Sequence, residues 1–178
     1  MAKILAFRAK STGTRKVDLR KDRPGSAGQG RRTNKAIGRT RDHLTPGEVA
    51  AILKAAGQAG GRHPLRDRTL LLVAYRHGLR VSELVGLRWD DVDLQAARLH
   101  VTRLKQGIPS THPIPGDELR ALRALKRDYP DSSFIFSTER GGPLTRSAVN
   151  KLLTRAGVMA RMPFPVTPHQ LRHACGYY

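Results

Sequence analysis

A regular pattern of apolar positions begins at Leu44. Val49, Ile52, Leu53 and Ala56 recur at intervals of three and four behind Thr45-Pro46-Gly47-Glu48, which has the form of a capping box, so a first amphipathic helix is predicted up to Gly57. Gly57 to Gly61 predict a loop. Pro64 opens a second helix whose Leu70-Leu71-Leu72-Val73-Ala74 run is apolar on most sides, and Gly78 ends it. A short third helix from about Arg80 to Leu87 turns Leu84 and Leu87 inward and carries Arg80 in its first turn.

The period then changes. Arg98-Leu99-His100-Val101-Thr102-Arg103 alternates and predicts a half-exposed strand with Leu99 and Val101 inward. A turn at Lys105-Gln106-Gly107 lets Ser110-Thr111-His112-Pro113-Ile114 return antiparallel. Leu119, Leu122 and Leu125 mark a fourth helix with Arg120, Arg123, Lys126 and Arg127 outward, and Phe134-Ile135-Phe136 reads as a short apolar strand. Thr145 caps a helix running through Val149, Leu152, Leu153 and Ala156 to Gly157, with Lys151 and Arg155 on its polar side. Thr167-Pro168 starts the last helix, where the threonine hydroxyl caps free amides and proline needs no donor. The fold class that follows is mixed α+β, mainly α with a small antiparallel sheet.

Residues 1–41 lack this patterning. They combine Lys, Arg, Gly, Ser and Thr, and the run Pro24-Gly25-Ser26-Ala27-Gly28-Gln29-Gly30 propagates neither helix nor strand, which predicts a disordered basic arm ahead of one domain over residues 42–178. The arm is either a clamp on DNA phosphates or a solubilising leader. It holds 13 basic and 2 acidic side chains, net +11, and the remainder holds 20 and 12, net +8. A total of +19 favours a polyanionic partner, nucleic acid first, over an acidic small molecule. The single Cys175 excludes an internal disulfide, and no run resembles a signal segment or a membrane span, so a cytoplasmic setting is expected.

Candidate chemistry sits in three stretches. His169 and Arg172, three apart at the positive end of the last helix, share one face and suit a phosphate. Taken alone, each has a plainer role, His169 as a core histidine and Arg172 in an exposed ion pair. Arg80 taken alone reads as a partner of Glu83 on a solvated face, and Lys105 as a surface lysine beside an edge strand. No Asp/Glu cluster has the look of a metal site.

Gly78-Leu79-Arg80-Val81-Ser82-Glu83-Leu84, Arg103-Leu104-Lys105-Gln106-Gly107 and Thr167-Pro168-His169-Gln170-Leu171-Arg172-His173, in this order, resemble the catalytic domain of the tyrosine recombinases, or phage-type integrases. The flanks Ser110-Thr111-His112-Pro113 and Leu171-Arg172-His173-Ala174-Cys175-Gly176 look most like the fimbrial phase-variation inversion recombinases. The resemblance implies a DNA strand-transfer site that uses no metal and no cofactor, working on double-stranded DNA as a homo-oligomer. In it Arg80 and Arg172 hold the non-bridging oxygens, Lys105 protonates the leaving 5′ oxygen, His169 exchanges a proton with the attacking tyrosine or braces the phosphate, and Glu83 fixes the Arg80 guanidinium. The family's tyrosine nucleophile comes well after the His-x-x-Arg pair, whereas Tyr177 and Tyr178 follow Arg172 by only five and six residues and read as core or frayed-end aromatics. The expectation is therefore a domain incomplete at its C-terminal end that binds DNA without cutting it; a non-enzymatic basic binder or a gene remnant are the alternatives.

Overall fold

The computed structural model describes residues 42–58, 62–102 and 108–176. The basic arm, Lys105 and the pair Tyr177 and Tyr178 lie outside the described residues. Six helices and a three-stranded sheet account for the described fold, in agreement with the mixed, mainly helical class.

Helix α1 (Pro46–Gln58) begins with the expected reciprocal cap: the Thr45 N–H donates to Glu48 Oε2 at 2.7 Å and the Glu48 N–H to Thr45 Oγ1 at 3.3 Å. Helix α2 (Pro64–Arg76) buries Leu70 to Ala74 continuously and packs on α1. It ends because Gly78 takes a left-handed conformation, φ +56°, which costs glycine nothing. Helix α3 (Val81–Gly86) is one residue shorter at its start than the periodicity predicts. Arg80 stands outside it as the N-cap in extended backbone, because the carboxylate of Glu83 at the third helical position draws in the Arg80 N–H.

Strands β1 (Val92–Asp93), β2 (Arg98–Val101) and β3 (Ser110–Pro113) form an antiparallel sheet in that order, with Leu99 opposite His112 and Val101 opposite Ser110. The alternation in β2 places Leu99 and Val101 in the core as predicted. Phe134-Ile135-Phe136 departs from the strand prediction. Ile135 and Phe136 are buried, but the segment pairs one residue at a time, through the Arg88–Phe134 bridge and the Ile135 N–H to Leu87 carbonyl bond of 3.0 Å. The turn bonded through Ser132 Oγ and the Gly141-Gly142 pair interrupt any longer ladder.

Helices α4 (Gly116–Asp128) and α6 (Pro168–Cys175) close the core against α2, while α5 (Arg146–Met159) packs on α1 and α3. Leu70, Leu71, Leu122, Leu125, Phe136 and Leu153 are among the fully enclosed side chains, each contributing roughly 1.5–3 kcal/mol through burial. Thr145 Oγ1 caps α5 by accepting from the Ala148 N–H at 3.1 Å. The helix runs two residues past Gly157, whose lack of a side chain serves contact rather than termination. A Cβ there would lie 2.7 Å from Val166 Cγ2, so Gly157 lets the segment leading into α6 lie flat on α5. Among the described residues no helix is long and apolar enough to cross a membrane.

The end of α2 is fastened to the start of α4. Arg76 makes a two-pronged bond to Asp117, both prongs 2.7 Å, and a third contact of 3.3 Å to Glu118; the next residue, His77, places Nε2 2.8 Å from the other oxygen of fully buried Glu118. The hydrogen bonds from Arg76 hold the Asp117 carboxyl at about 2, and Asp117 in turn raises the Arg76 pKa.

Two predictions follow from this packing. Gly157→Ala should force Val166 away and lower stability by about 1–3 kcal/mol, read as a fall in the urea midpoint without a change in slope. Because the Asp117 pKa is depressed below its unfolded value of about 3.9, the unfolded chain binds more protons between those values, and the stabilisation present above that window is lost as pH falls through it. Acid unfolding curves should therefore show part of the midpoint loss between roughly pH 5 and 2, and Asp117→Asn should flatten that part.

Candidate functional site

Glu83 is the centre around which the predicted residues gather. Its side chain is 1% exposed, and its two oxygens do three things. Oε2 accepts the Arg80 backbone N–H at 2.8 Å, Oε1 accepts from the Arg80 guanidinium at 3.0 Å, and Oε2 lies 3.9 Å from Arg172 Nη1. The last distance is an ion pair and too long for a hydrogen bond. Arg172 Nη1 is buried and has no hydrogen-bond partner among the described residues, while the Arg80 and Arg172 side chains remain 41% and 35% exposed. One buried carboxylate thus draws two half-exposed guanidinium groups to one place, from the N-cap of α3 and from α6.

The sequence folds this way because of Gly78 and Gln170. A Cβ on Gly78 would meet Cys175 Sγ at 3.3 Å, so glycine allows the turn after α2 to lie against the last turn of α6. The Cys175 thiol closes the contact by donating to the Arg76 carbonyl at 3.4 Å. At the start of α6 Thr167 and Gln170 form a capping pair in which the Thr167 N–H donates to Gln170 Oε1 at 2.8 Å, with Gln170 buried. A side chain three residues on accepting the N-cap N–H recurs at Thr45/Glu48, Arg80/Glu83, Arg88/Asp91 and Thr167/Gln170. At Arg80 this common device acquires a second task, since the same carboxylate also orients the guanidinium.

His169 lies on the outer face of α6. Its Nε2 is 2.8 Å from Nε2 of His173, one turn on, with the rings edge to face at 4.1 Å between centroids. It shares the helix with Arg172, as the three-residue spacing predicts. Lys105 belongs to the segment joining β2 to β3, outside the described residues.

Sequence reasoning missed the polar groups beneath this site. His77, just before Gly78, is held by Glu118 and stands edge to face with His112 of β3 at 5.2 Å, and Ser110 Oγ lies 2.8 Å from His112 Nε2. These groups link α4, the base of the Arg80 turn and the strand that follows Lys105. A signal was present: Glu118 falls on the inward stripe of α4 with Leu122 and Leu125, where a charge has no place unless it has a buried partner. Asp67 gives the same signal on α2. It is buried, accepts from Arg66 at 2.9 Å and from Arg155 of α5 at 3.1 Å, and so removes Arg155 from the class of freely solvated charges. Lys151 lines a cleft of about 330 Å³ beside these arginines. Among the described residues no group of three or more His, Cys, Asp or Glu side chains could enclose a metal ion.

Known proteins share this fold. Residues 42–178 match the Phage integrase family. The chain is 36% identical over 149 residues to the type 1 fimbriae regulatory protein FimB of Escherichia coli (strain K12), covering 81% of this chain and 74% of that protein. It is 37% identical to the tyrosine recombinase XerD of Mycobacterium tuberculosis (strain ATCC 25618 / H37Rv), over 74% of this chain and 45% of XerD. Among solved structures, XerA recombinase superposes with a TM-score of 0.64 at 26% identity, over 75% of this chain and 48% of XerA. A lambda integrase(75-356) dimer bound to a COC' core site gives a TM-score of 0.62 at 25% identity, over 76% of this chain and 50% of that one. The chain thus spans about half the length of these solved structures, and it belongs to the phage integrase family of tyrosine recombinases.

Proposed function

We propose that this protein is a site-specific DNA recombinase component whose Arg80, Lys105, His169 and Arg172 hold and polarise a phosphodiester of double-stranded DNA. The observation that carries the proposal is the Glu83 cluster: two half-exposed arginines drawn together, one with a buried, unpartnered N–H. Transesterification at phosphorus spreads negative charge over the equatorial oxygens, so most of the catalytic work is positioning and charge stabilisation. Guanidinium forks suit those oxygens better than ammonium groups, and Glu83 orients them before DNA arrives. Lys105, between β2 and β3, protonates the leaving 5′ oxygen, and His169 exchanges a proton with an attacking tyrosine or braces the phosphate.

Several comparisons favour DNA as the partner and assembly on it. The lambda integrase neighbours include a dimer on a core site and a tetramer on a Holliday junction, and the sequence carries +19. The arm over residues 1–41 adds a clamp on flanking phosphates, and the reaction takes place on cytoplasmic DNA between copies of the chain.

Affinity for a duplex oligonucleotide, followed by fluorescence anisotropy over a salt series, should fall steeply with salt. Arg80→Ala with Arg172→Ala should reduce the log–log slope by about 1, the loss of one phosphate contact, and removing residues 1–41 should flatten it further. An unchanged slope in the double variant would reject the pocket. Arg172→Lys keeps the charge and should keep the slope, whereas in a version extended to include a tyrosine nucleophile strand cleavage should drop by roughly 100-fold for want of an oriented donor; near-normal cleavage by that extended variant would reject the fork.

A further inference from the structure

His169 and His173 occupy consecutive turns of one face of α6, both residues exposed, with their Nε2 atoms facing each other at 2.8 Å. Each nitrogen has the other as its hydrogen-bond partner. We infer that this pair is a two-imidazole chelating site for a divalent transition cation of the nickel or copper class.

The class follows from the bite. With metal–imidazole bonds of about 2.0–2.1 Å, nitrogens 2.8 Å apart subtend an angle of about 86° at the metal. That is the cis angle of square-planar and octahedral complexes, not the wider tetrahedral angle zinc adopts, and imidazole is a ligand that nickel and copper accept readily. The remaining positions go to solvent, since no third His, Cys, Asp or Glu among the described residues joins the pair. Chelation replaces the hydrogen bond between the two imidazoles by one cation bonded to both Nε2 atoms, the proton of the donor ring moving through solvent to its own Nδ1. The neighbouring charge of Arg172 does not forbid this, because the Glu83 carboxylate lies beside that guanidinium. A second consequence rests on the function proposed above: a cation on His169 takes the nitrogen intended for the phosphate or the proton, so metal and DNA compete.

Nickel chloride titrated calorimetrically into the tag-free full chain should bind at one site per chain. His173→Gln and His169→Gln should each weaken binding by roughly 100-fold, because the second imidazole binds as an intramolecular ligand. Both positions are exposed, so thermal melts of the variants should match the parent. Binding that neither substitution weakens, or no binding at all, overturns the site. In the anisotropy assay, nickel should lower duplex affinity of the parent and leave His173→Gln unaffected. Tight nickel binding without any loss of duplex affinity would overturn the competition and with it the role of His169 at the phosphate, while the chelating site itself would stand.

Discussion

The Glu83 carboxylate is the constraint on which the site depends. An anion with a side chain 1% exposed is tolerable only with compensating hydrogen bonds and charge. It obtains them from the Arg80 backbone, the Arg80 side chain and the nearby Arg172. The relation runs in both directions: without the carboxylate, two guanidinium groups close together would repel, and without the guanidinium groups the buried carboxylate would lose the bonds and charge that offset its lost hydration. The cluster is therefore assembled by folding itself, which brings Arg80 and Arg172 to one carboxylate.

Glycine determines whether the two halves can meet. Arg80 and Arg172 are 92 positions apart, and their approach needs the turn after α2 to press on the last turn of α6. Gly78 supplies both the left-handed backbone and the missing methyl that this requires. Gly157 does a related thing one layer away, where Val166 lies against α5 and fixes the approach of the chain to α6. Short-range backbone geometry thus sets a long-range coincidence of charge.

Much of this was legible from spacing. The helix boundaries near Thr45, Pro64 and Thr145, the inward pair Leu99 and Val101, and the sharing of one helix by His169 and Arg172 all come from periodicity and capping chemistry that act locally. The pairing of Arg80 with Glu83 was visible as an i, i+3 relation. What escaped was non-local: the single-bridge pairing at Phe134, and the contacts of His77 with Glu118 and of Asp67 with Arg155, which join residues 41 and 88 apart. Sequence alone shows a charge on an inward stripe; only the fold shows what answers it.

The fastening of α2 to α4 bears on how such a protein can change over generations. Glu118 has His77 on one oxygen and Arg76 on the other, and neither the buried imidazole nor the buried carboxylate tolerates the loss of its opposite number. A lineage that replaces one by an apolar residue passes through a misfit intermediate unless the other is replaced almost at once. Descendants should therefore keep the pair or lose it whole, and the turn bearing Arg80, built directly on His77, is sheltered from drift by a bond outside the arginine cluster itself.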